Sequence, residues 1–170
     1  MARPRPYHLP SYKSPGGNLD DISFRIEIPS DEDGFVLFHC PHCGELFKTS
    51  VGDVEDDSVL AVYCPACGLT SDNFLTEDVI ELALTMAKNR AMAAMAKDLG
   101  KQFKKHKSGF VDFEISTKDD DEPEIPLNAS VEALELVTCH DCGRSSKIQP
   151  SLAMSIYTCP YCGIGQANDR

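Results

Sequence analysis

Four stretches decide the fold: Cys40-Pro-His-Cys43-Gly44, Cys64-Pro-Ala-Cys67-Gly68, Cys139-His-Asp-Cys142-Gly143 and Cys159-Pro-Tyr-Cys162-Gly163. These C-x-x-C pairs contain all 8 cysteines of the 170-residue chain. Twenty residues separate the first two pairs and sixteen separate the last two. Two residues between cysteines let both thiolates face one ion, and a hairpin of this length brings a second pair opposite. The spacing therefore predicts two tetrahedral four-cysteine sites.

The residues inside and after each pair predict tight turns. Glycine follows every second cysteine, where positive φ costs glycine no steric strain. Proline follows the first cysteine in three of the four pairs, and His140 replaces it in the third pair. Because proline sets φ in advance for such a turn, the fourfold repetition indicates one knuckle geometry used four times.

With CPHCG and CPACG in the first half and CHDCG and CPYCG in the second, the chain resembles the zinc ribbon family. The resemblance covers residues 35–70 and 134–166, less than half of the chain. Ribbons occur in general transcription factors, RNA polymerase subunits and many bacterial proteins. They contact DNA, RNA or protein, or serve as structural staples. The resemblance thus implies a fold and a metal, and it implies no single activity.

The metal prediction is two zinc ions per chain. Rubredoxin-like iron is the chemical alternative, because four thiolates do not by themselves distinguish zinc from iron. Disulfides require an oxidising compartment, for which the N-terminus offers no export signal, and a thioredoxin-type pair would occur singly. The predicted ligands of the two ions are Cys40, Cys43, Cys64 and Cys67 for the first, and Cys139, Cys142, Cys159 and Cys162 for the second.

The order of segments predicts an α+β fold with two small β zinc ribbons, accompanying strands and one long amphipathic helix that joins them. We divide the chain into a disordered arm at 1–18, a strand plus the first ribbon at 19–75, a connecting helix at 76–108, and a strand, acidic loop and second ribbon at 109–170. Residues 22–28 and 111–115 alternate apolar and polar side chains, as half-buried strands do. Each precedes an acidic loop and a ribbon, which indicates an internal duplication.

Charge is unevenly distributed along the chain. Its 27 Asp and Glu exceed its 16 Lys and Arg, for a net charge of −11. A basic stretch at 88–107 could face phosphates, or it could be a face that is solvated or paired with the chain's own acidic loops at 112–135. We favour the second reading because charge runs usually mark solvated faces. Its candidate phosphate-facing residues are Lys88, Arg90, Lys97, Lys101, Lys104, Lys105 and Lys107.

These observations favour a non-catalytic protein, because no P-loop, G-x-S-x-G or HExxH motif is present. We predict a cytoplasmic protein-interaction adaptor or assembly subunit with no membrane segment. The first alternative is a nucleic-acid-binding regulator that uses the ribbons and the basic face 88–107, although the net negative charge predicts weak binding. The second is a rubredoxin-like iron electron carrier. Small residues along helix 76–107 also suggest a homodimer through that helix.

Overall fold

A computed structural model of the chain describes residues 6–8, 26–105, 122–129 and 133–167. These residues belong to two compact units. The ribbon unit contains residues 6–8, 27–79, 127–129 and 133–167, and the helix unit contains residues 26, 80–105 and 122–126. Both ribbons therefore lie in one unit. The predicted boundaries 1–18, 19–75, 76–108 and 109–170 stay predictions, because most of the joining segments fall outside the described residues.

The ribbon unit consists of short strands and one-turn helices. Its elements in chain order are β1 (Tyr7–His8), β2 (Glu27–Ile28), β3 (Phe35–His39), β4 (Leu46–Ser50), α1 (Val51–Val54), β5 (Glu135–Thr138), β6 (Ser145–Ile148), α3 (Pro150–Ala153), β7 (Ile156–Thr158) and β8 (Gly165–Ala167). The remaining helix, α2 (Glu77–Lys105), begins in the ribbon unit and continues into the helix unit. Together they confirm the predicted α+β class with one long helix.

One antiparallel sheet joins the two ribbons, in the strand order β3-β4-β6-β5. β3 and β4 form the hairpin of the first knuckle, and β5 and β6 form the hairpin of the third. β7 and β8 form the hairpin of the fourth knuckle, whereas the second has a single bridge, Tyr63 to Thr70. The apolar run of residues 59–63, which enters the second knuckle, predicts a strand, but this prediction is wrong because the stretch is mostly irregular.

The two ribbons pair around an internal two-fold axis. Lys48 lies eight positions after Cys40, and Lys147 lies eight positions after Cys139. These two lysines are register partners where β4 meets β6. α1 and α3 likewise begin eleven positions after the same two cysteines. Because one position of each ribbon meets its own counterpart, the ribbons associate as the subunits of a symmetric dimer do.

An aromatic cluster fills the interior of the first ribbon. Phe47 is fully buried, and its ring lies 5.9 Å from that of Phe38 and 5.6 Å from that of Phe74. The main chain follows the same packing, since the amide of His39 donates to the carbonyl of Phe74 at 2.8 Å. Tyr7 adds a T-shaped contact with Phe38, so the short β1–β2 pair is attached to this cluster.

The long helix follows the prediction closely, from Glu77 to Lys105 where residues 76–107 were expected. Two acids, Glu77 and Asp78, occupy its first turn, where negative charge is favourable. Two large apolar residues of the helix, Leu84 and Met95, are 66% and 54% exposed. No helix among the described residues is both long and apolar enough to cross a bilayer. The predicted strand 111–115, and with it that part of the duplication, lies outside the described residues.

Candidate metal centres

The structure assembles the eight cysteines into the two predicted groups. In each group the four Sγ atoms all lie within 4.8 Å of one another. The first cage consists of Cys40, Cys43, Cys64 and Cys67, and the second consists of Cys139, Cys142, Cys159 and Cys162. Two cysteines of each cage are buried, and in the first cage the other two are exposed.

The sulfur spacing suits a tetrahedral metal ion. The Sγ–Sγ distances are 3.8 Å between Cys40 and Cys67 and 3.6 Å between Cys43 and Cys64, and the matching distances in the second cage are 3.8 and 3.7 Å. Four sulfurs placed 2.3 Å from a central zinc would be about 3.8 Å apart. Disulfide sulfurs would be about 2.05 Å apart, and all eight cysteines are free. The donor sets therefore fit two metal ions.

A repeated pattern of backbone hydrogen bonds builds the knuckles. In the first knuckle the amide of Gly44 donates to the carbonyl of Cys40 at 2.9 Å, and the amide of Cys40 donates to the carbonyl of Glu45 at 2.8 Å. The other three knuckles repeat both bonds at 2.9–3.0 Å. The four knuckle glycines have φ between 70° and 76°, which confirms why glycine follows each pair.

The pKa values of the buried thiols shift in the same directions in the two cages. Burial raises the pKa of Cys64 and of its counterpart Cys159. Burial also acts on Cys40 and Cys139, but amide N–H groups of their own knuckles donate to the sulfurs and leave the pKa of each lowered. Metal binding requires every thiol of a cage to lose its proton, so the metal affinity decreases as the pH is lowered.

Direct contacts between the two cages were not predicted from the sequence. The amide of Tyr63, next to Cys64, donates to the carbonyl of Pro160 at 2.9 Å. Reciprocally, the amide of Thr158, next to Cys159, donates to a carbonyl of the second knuckle, that of Pro65, also at 2.9 Å. The repeated Cys-Pro is the one sequence feature that these two contacts share. It does not predict them, because nothing in the sequence of one ribbon specifies which carbonyl of the other ribbon lies opposite.

Tyr161, a knuckle residue of the second cage, also bridges the ribbons. Its hydroxyl donates to the carbonyl of Ser145 at 2.7 Å and accepts from the amide of Ser50 at 2.9 Å. Its ring lies in a cluster with Cys139 and Cys159, against which Val54 and Val59 of the first ribbon pack. Burial raises the pKa of this tyrosine, so it stays protonated and able to donate.

Asp31 connects the two lysines that meet across the internal two-fold. Its Oδ2 accepts from Lys48 Nζ at 3.1 Å and from Lys147 Nζ at 2.9 Å. Burial alone would raise the pKa of Asp31, but hydrogen bonds from these lysines and from the amide of Phe35 leave it lowered. Like charges opposite each other on neighbouring strands repel, so this carboxylate stabilises the junction of β4 and β6.

Among the predicted phosphate-facing residues, Lys88 pairs within its own chain. Its Nζ contacts a carboxylate oxygen of Glu122. The neighbouring Asn89 side chain donates to the Glu122 carbonyl at 2.9 Å and accepts from the Glu122 amide at 3.0 Å. Arg90 and Lys97 are exposed on the same helix. For Lys101, Lys104 and Lys105 the structure describes the helical backbone and not the side chains. Lys107 lies outside the described residues.

Comparison of the chain with protein families, curated proteins and solved structures gives no match. The class of protein is accordingly defined by the site itself, a paired four-cysteine metal-binding unit built on ribbon-like knuckles.

Proposed function

We propose that this chain is a non-catalytic zinc protein whose paired ribbons form a rigid surface for a protein partner, as an adaptor or assembly subunit. The observation that carries this proposal is the charge of the ribbon unit. Its described residues include 14 Asp and Glu against three basic residues, Lys48, Arg144 and Lys147. Eight thiolates and two Zn²⁺ would together add four further negative charges.

All three basic side chains among the described residues of the ribbon unit contact acidic side chains. The two lysines contact Asp31, and the Nε of Arg144 lies 3.4 Å from Asp53. Nucleic-acid affinity depends on cations that neutralise phosphates and release counterions. A ribbon unit whose described cations are neutralised internally supports a protein partner rather than a nucleic acid.

The basic part of α2 offers the nucleic-acid alternative limited support. Lys88 already has a carboxylate partner in Glu122, which agrees with the prediction of a solvated or self-paired face. We therefore expect only weak and salt-sensitive binding through the remaining basic residues of 88–107.

A structural role for the metal also follows from the donor sets. A catalytic zinc retains an open coordination position, whereas each cage offers four thiolates to one ion. Zinc is the proposed ion, because four-cysteine cages with ribbon-like knuckles are a common structural zinc site. Elemental analysis tests this directly: two zinc per chain and a colourless protein are expected, and a coloured iron form would favour the electron-carrier alternative.

Fluorescence anisotropy with a labelled DNA and a labelled RNA tests the choice of partner. At physiological salt we expect dissociation constants no tighter than roughly 10⁻⁴ M, the weak end of non-specific binding. Affinity purification of the zinc-loaded protein from its native cell should recover a stoichiometric protein partner that resists nuclease treatment. Tight binding of nucleic acid that persists after Lys101→Glu, Lys104→Glu and Lys105→Glu are combined would contradict the proposal and favour a ribbon-mediated regulator.

A further inference from the structure

We infer that the two cages bind and release metal cooperatively, because the second knuckle of each ribbon is bonded to the second knuckle of the other. This inference rests on the proposed metal binding and concerns the regulation of those sites. Two ribbons that are far apart in sequence would be expected to bind their metal ions independently, and the contacts between the cages argue against this.

The first observation is the reciprocal pair of main-chain hydrogen bonds. Pro160 lies between two ligands of the second cage, and its carbonyl accepts from the amide that immediately precedes Cys64 of the first. Pro65 lies between two ligands of the first cage, and its carbonyl accepts from the amide that immediately precedes Cys159. Each cage therefore holds the backbone that carries a buried ligand of the other.

The second observation is side-chain packing at the same junction. A Cβ at Gly163 would lie 3.0 Å from ring carbons of Tyr63, and a Cβ at Gly68 would lie 3.3 Å from the hydroxyl oxygen of Thr158. Each glycine is the last residue of one knuckle, and each side chain precedes a ligand of the other cage. The two second knuckles are thus in direct side-chain contact at both glycines.

A third contact couples the second cage to the body of the first ribbon. The Tyr161 hydroxyl accepts from the amide of Ser50, and its ring packs in the cluster that includes Val54 and Val59. These three first-ribbon residues follow the first knuckle and precede the second. When the first cage loses its metal, the chain between its two knuckles is no longer held at both ends.

These contacts imply positive coupling. Ordering a knuckle costs conformational entropy, and the first metal ion to bind orders elements that the second ion also needs. The second ion therefore binds more tightly, and by linkage the effect is the same whichever cage loads first. Typical couplings of this kind are about 5- to 150-fold in affinity.

Native mass spectrometry of the full chain with one molar equivalent of Zn²⁺ tests the inference. Two equal, independent sites would give about half of the molecules with one ion, and unequal independent sites would give more than half. A tenfold coupling would lower this fraction to about a quarter. We expect the singly loaded form to be a minority, with most molecules holding zero or two ions.

A matched pair of variants locates the coupling. Tyr63→Ala removes the ring packed on Gly163 and changes no ligand, so the singly loaded fraction should rise toward one half. Leu69→Ala alters an exposed side chain beside the same cage and should leave that fraction as in the parent. An unchanged fraction in Tyr63→Ala would overturn the assignment of coupling to the ring contact with Gly163.

The outcomes separate this inference from the proposed function. If the parent chain binds two ions and the singly loaded form reaches half or more, the cages are independent and the cooperative inference is wrong, while the zinc proposal stands. If no zinc binds, both are wrong. The parent measurement decides between these results even if Tyr63→Ala does not fold.

Discussion

The two ribbons share a backbone arrangement and differ in the side chains that form their interiors. In the first ribbon, Phe38 and Phe47 lie in an aromatic cluster with Phe74. Ninety-nine positions later, Val137 and Ser146 occupy the places of Phe38 and Phe47. Both residues are buried, so these two positions hold much less apolar side-chain area in the second ribbon than in the first. The same knuckle geometry is therefore compatible with very different cores.

The second ribbon compensates with polar contacts and with side chains of the first. Buried Gln166 accepts from the amide of His140 at 3.1 Å and donates to a carboxylate oxygen of Asp141. Arg144 lies near Asp53 and donates to Ser58 Oγ of the first ribbon at 2.8 Å. The difference teaches that metal ligation and turn geometry determine the shared backbone, while packing determines how far each ribbon depends on the other.

The largest expected effect comes from removing a buried ligand. Cys64→Ser and its counterpart Cys159→Ser should each lose one metal ion, and structural zinc contributes on the order of 10–16 kcal/mol of apparent binding free energy. If the two ribbons folded independently, Cys64→Ser would unfold the first ribbon and spare the second. Because β4 and β6 share a sheet, we now expect each variant to destabilise both ribbons.

Hydrogen exchange measured by mass spectrometry checks this expectation. Peptides covering 145–158 should lose protection in Cys64→Ser, although no residue of that range is changed. Cys43→Ser, at an exposed ligand of the same cage, separates loss of the ion from loss of a buried side chain. Full protection of 145–158 in Cys64→Ser would show that the ribbons fold independently.

The next effect compares equivalent core positions. Phe38→Ala should lower the free energy of unfolding by about 3–5 kcal/mol, because it opens a cavity between two other phenylalanine rings. Val137→Ala, at the matching position, should cost about 2 kcal/mol, since fewer buried methyl groups are lost. Urea unfolding of the zinc-loaded variants measures both values. Equal losses would mean that the two interiors contribute alike and that the contrast between the ribbons is not energetic.

A smaller effect is expected at the junction of the two ribbons. Asp31→Asn should cost about 1.5–3 kcal/mol at neutral pH, because charged hydrogen bonds to Lys48 and Lys147 are lost. The folded pKa of Asp31 is lowered, so its stabilisation is complete above the unfolded pKa of about 3.9 and disappears as pH falls through the folded value. The difference between parent and variant should therefore shrink toward zero below about pH 4.

Asp33→Asn is the matched control for that junction. Its carboxylate contacts Lys147 at 2.6 Å, but its side chain is 71% exposed. An exposed ion pair contributes at most about 1 kcal/mol. Urea titrations over a range of pH measure the free energy of unfolding of both variants. Neither substitution changes a cysteine, so the two cages are the same in both proteins. An Asp33→Asn loss as large as that of Asp31→Asn would contradict the central position given to Asp31.

The smallest expected effect is at Tyr161. Tyr161→Phe keeps the ring and removes a hydroxyl that joins Ser145 to Ser50, which should cost about 1 kcal/mol. Tyr157→Phe is the control, because within the described residues the hydroxyl of this buried tyrosine has no hydrogen-bond partner. Thermal unfolding of the zinc-loaded proteins should lower the midpoint in Tyr161→Phe only. Equal midpoints for both variants would show that this bridge adds nothing to the association of the ribbons.

The amino-acid sequence by itself determined the ligand groups, the knuckle turns and the long helix. Each depends on local chemistry: the spacing of thiols around one ion, glycine at positive φ, and a long amphipathic run of residues. The grouping of eight cysteines into two cages and the helix at Glu77–Lys105 accordingly agree with what was predicted. The one-turn helices α1 and α3 were missed, because four residues carry no periodic signal.

Only the tertiary structure decided that the two ribbons form one unit. The pairing of Lys48 with Lys147, the ion pair of Asp31 with Lys147, and the bond from Tyr63 to Pro160 each join residues about a hundred positions apart. No local pattern encodes such contacts, because register across a sheet depends on which surfaces are buried together when the chain folds. For the same reason the burial of Lys48, a residue type that is rarely buried, could not be read from its neighbours in sequence.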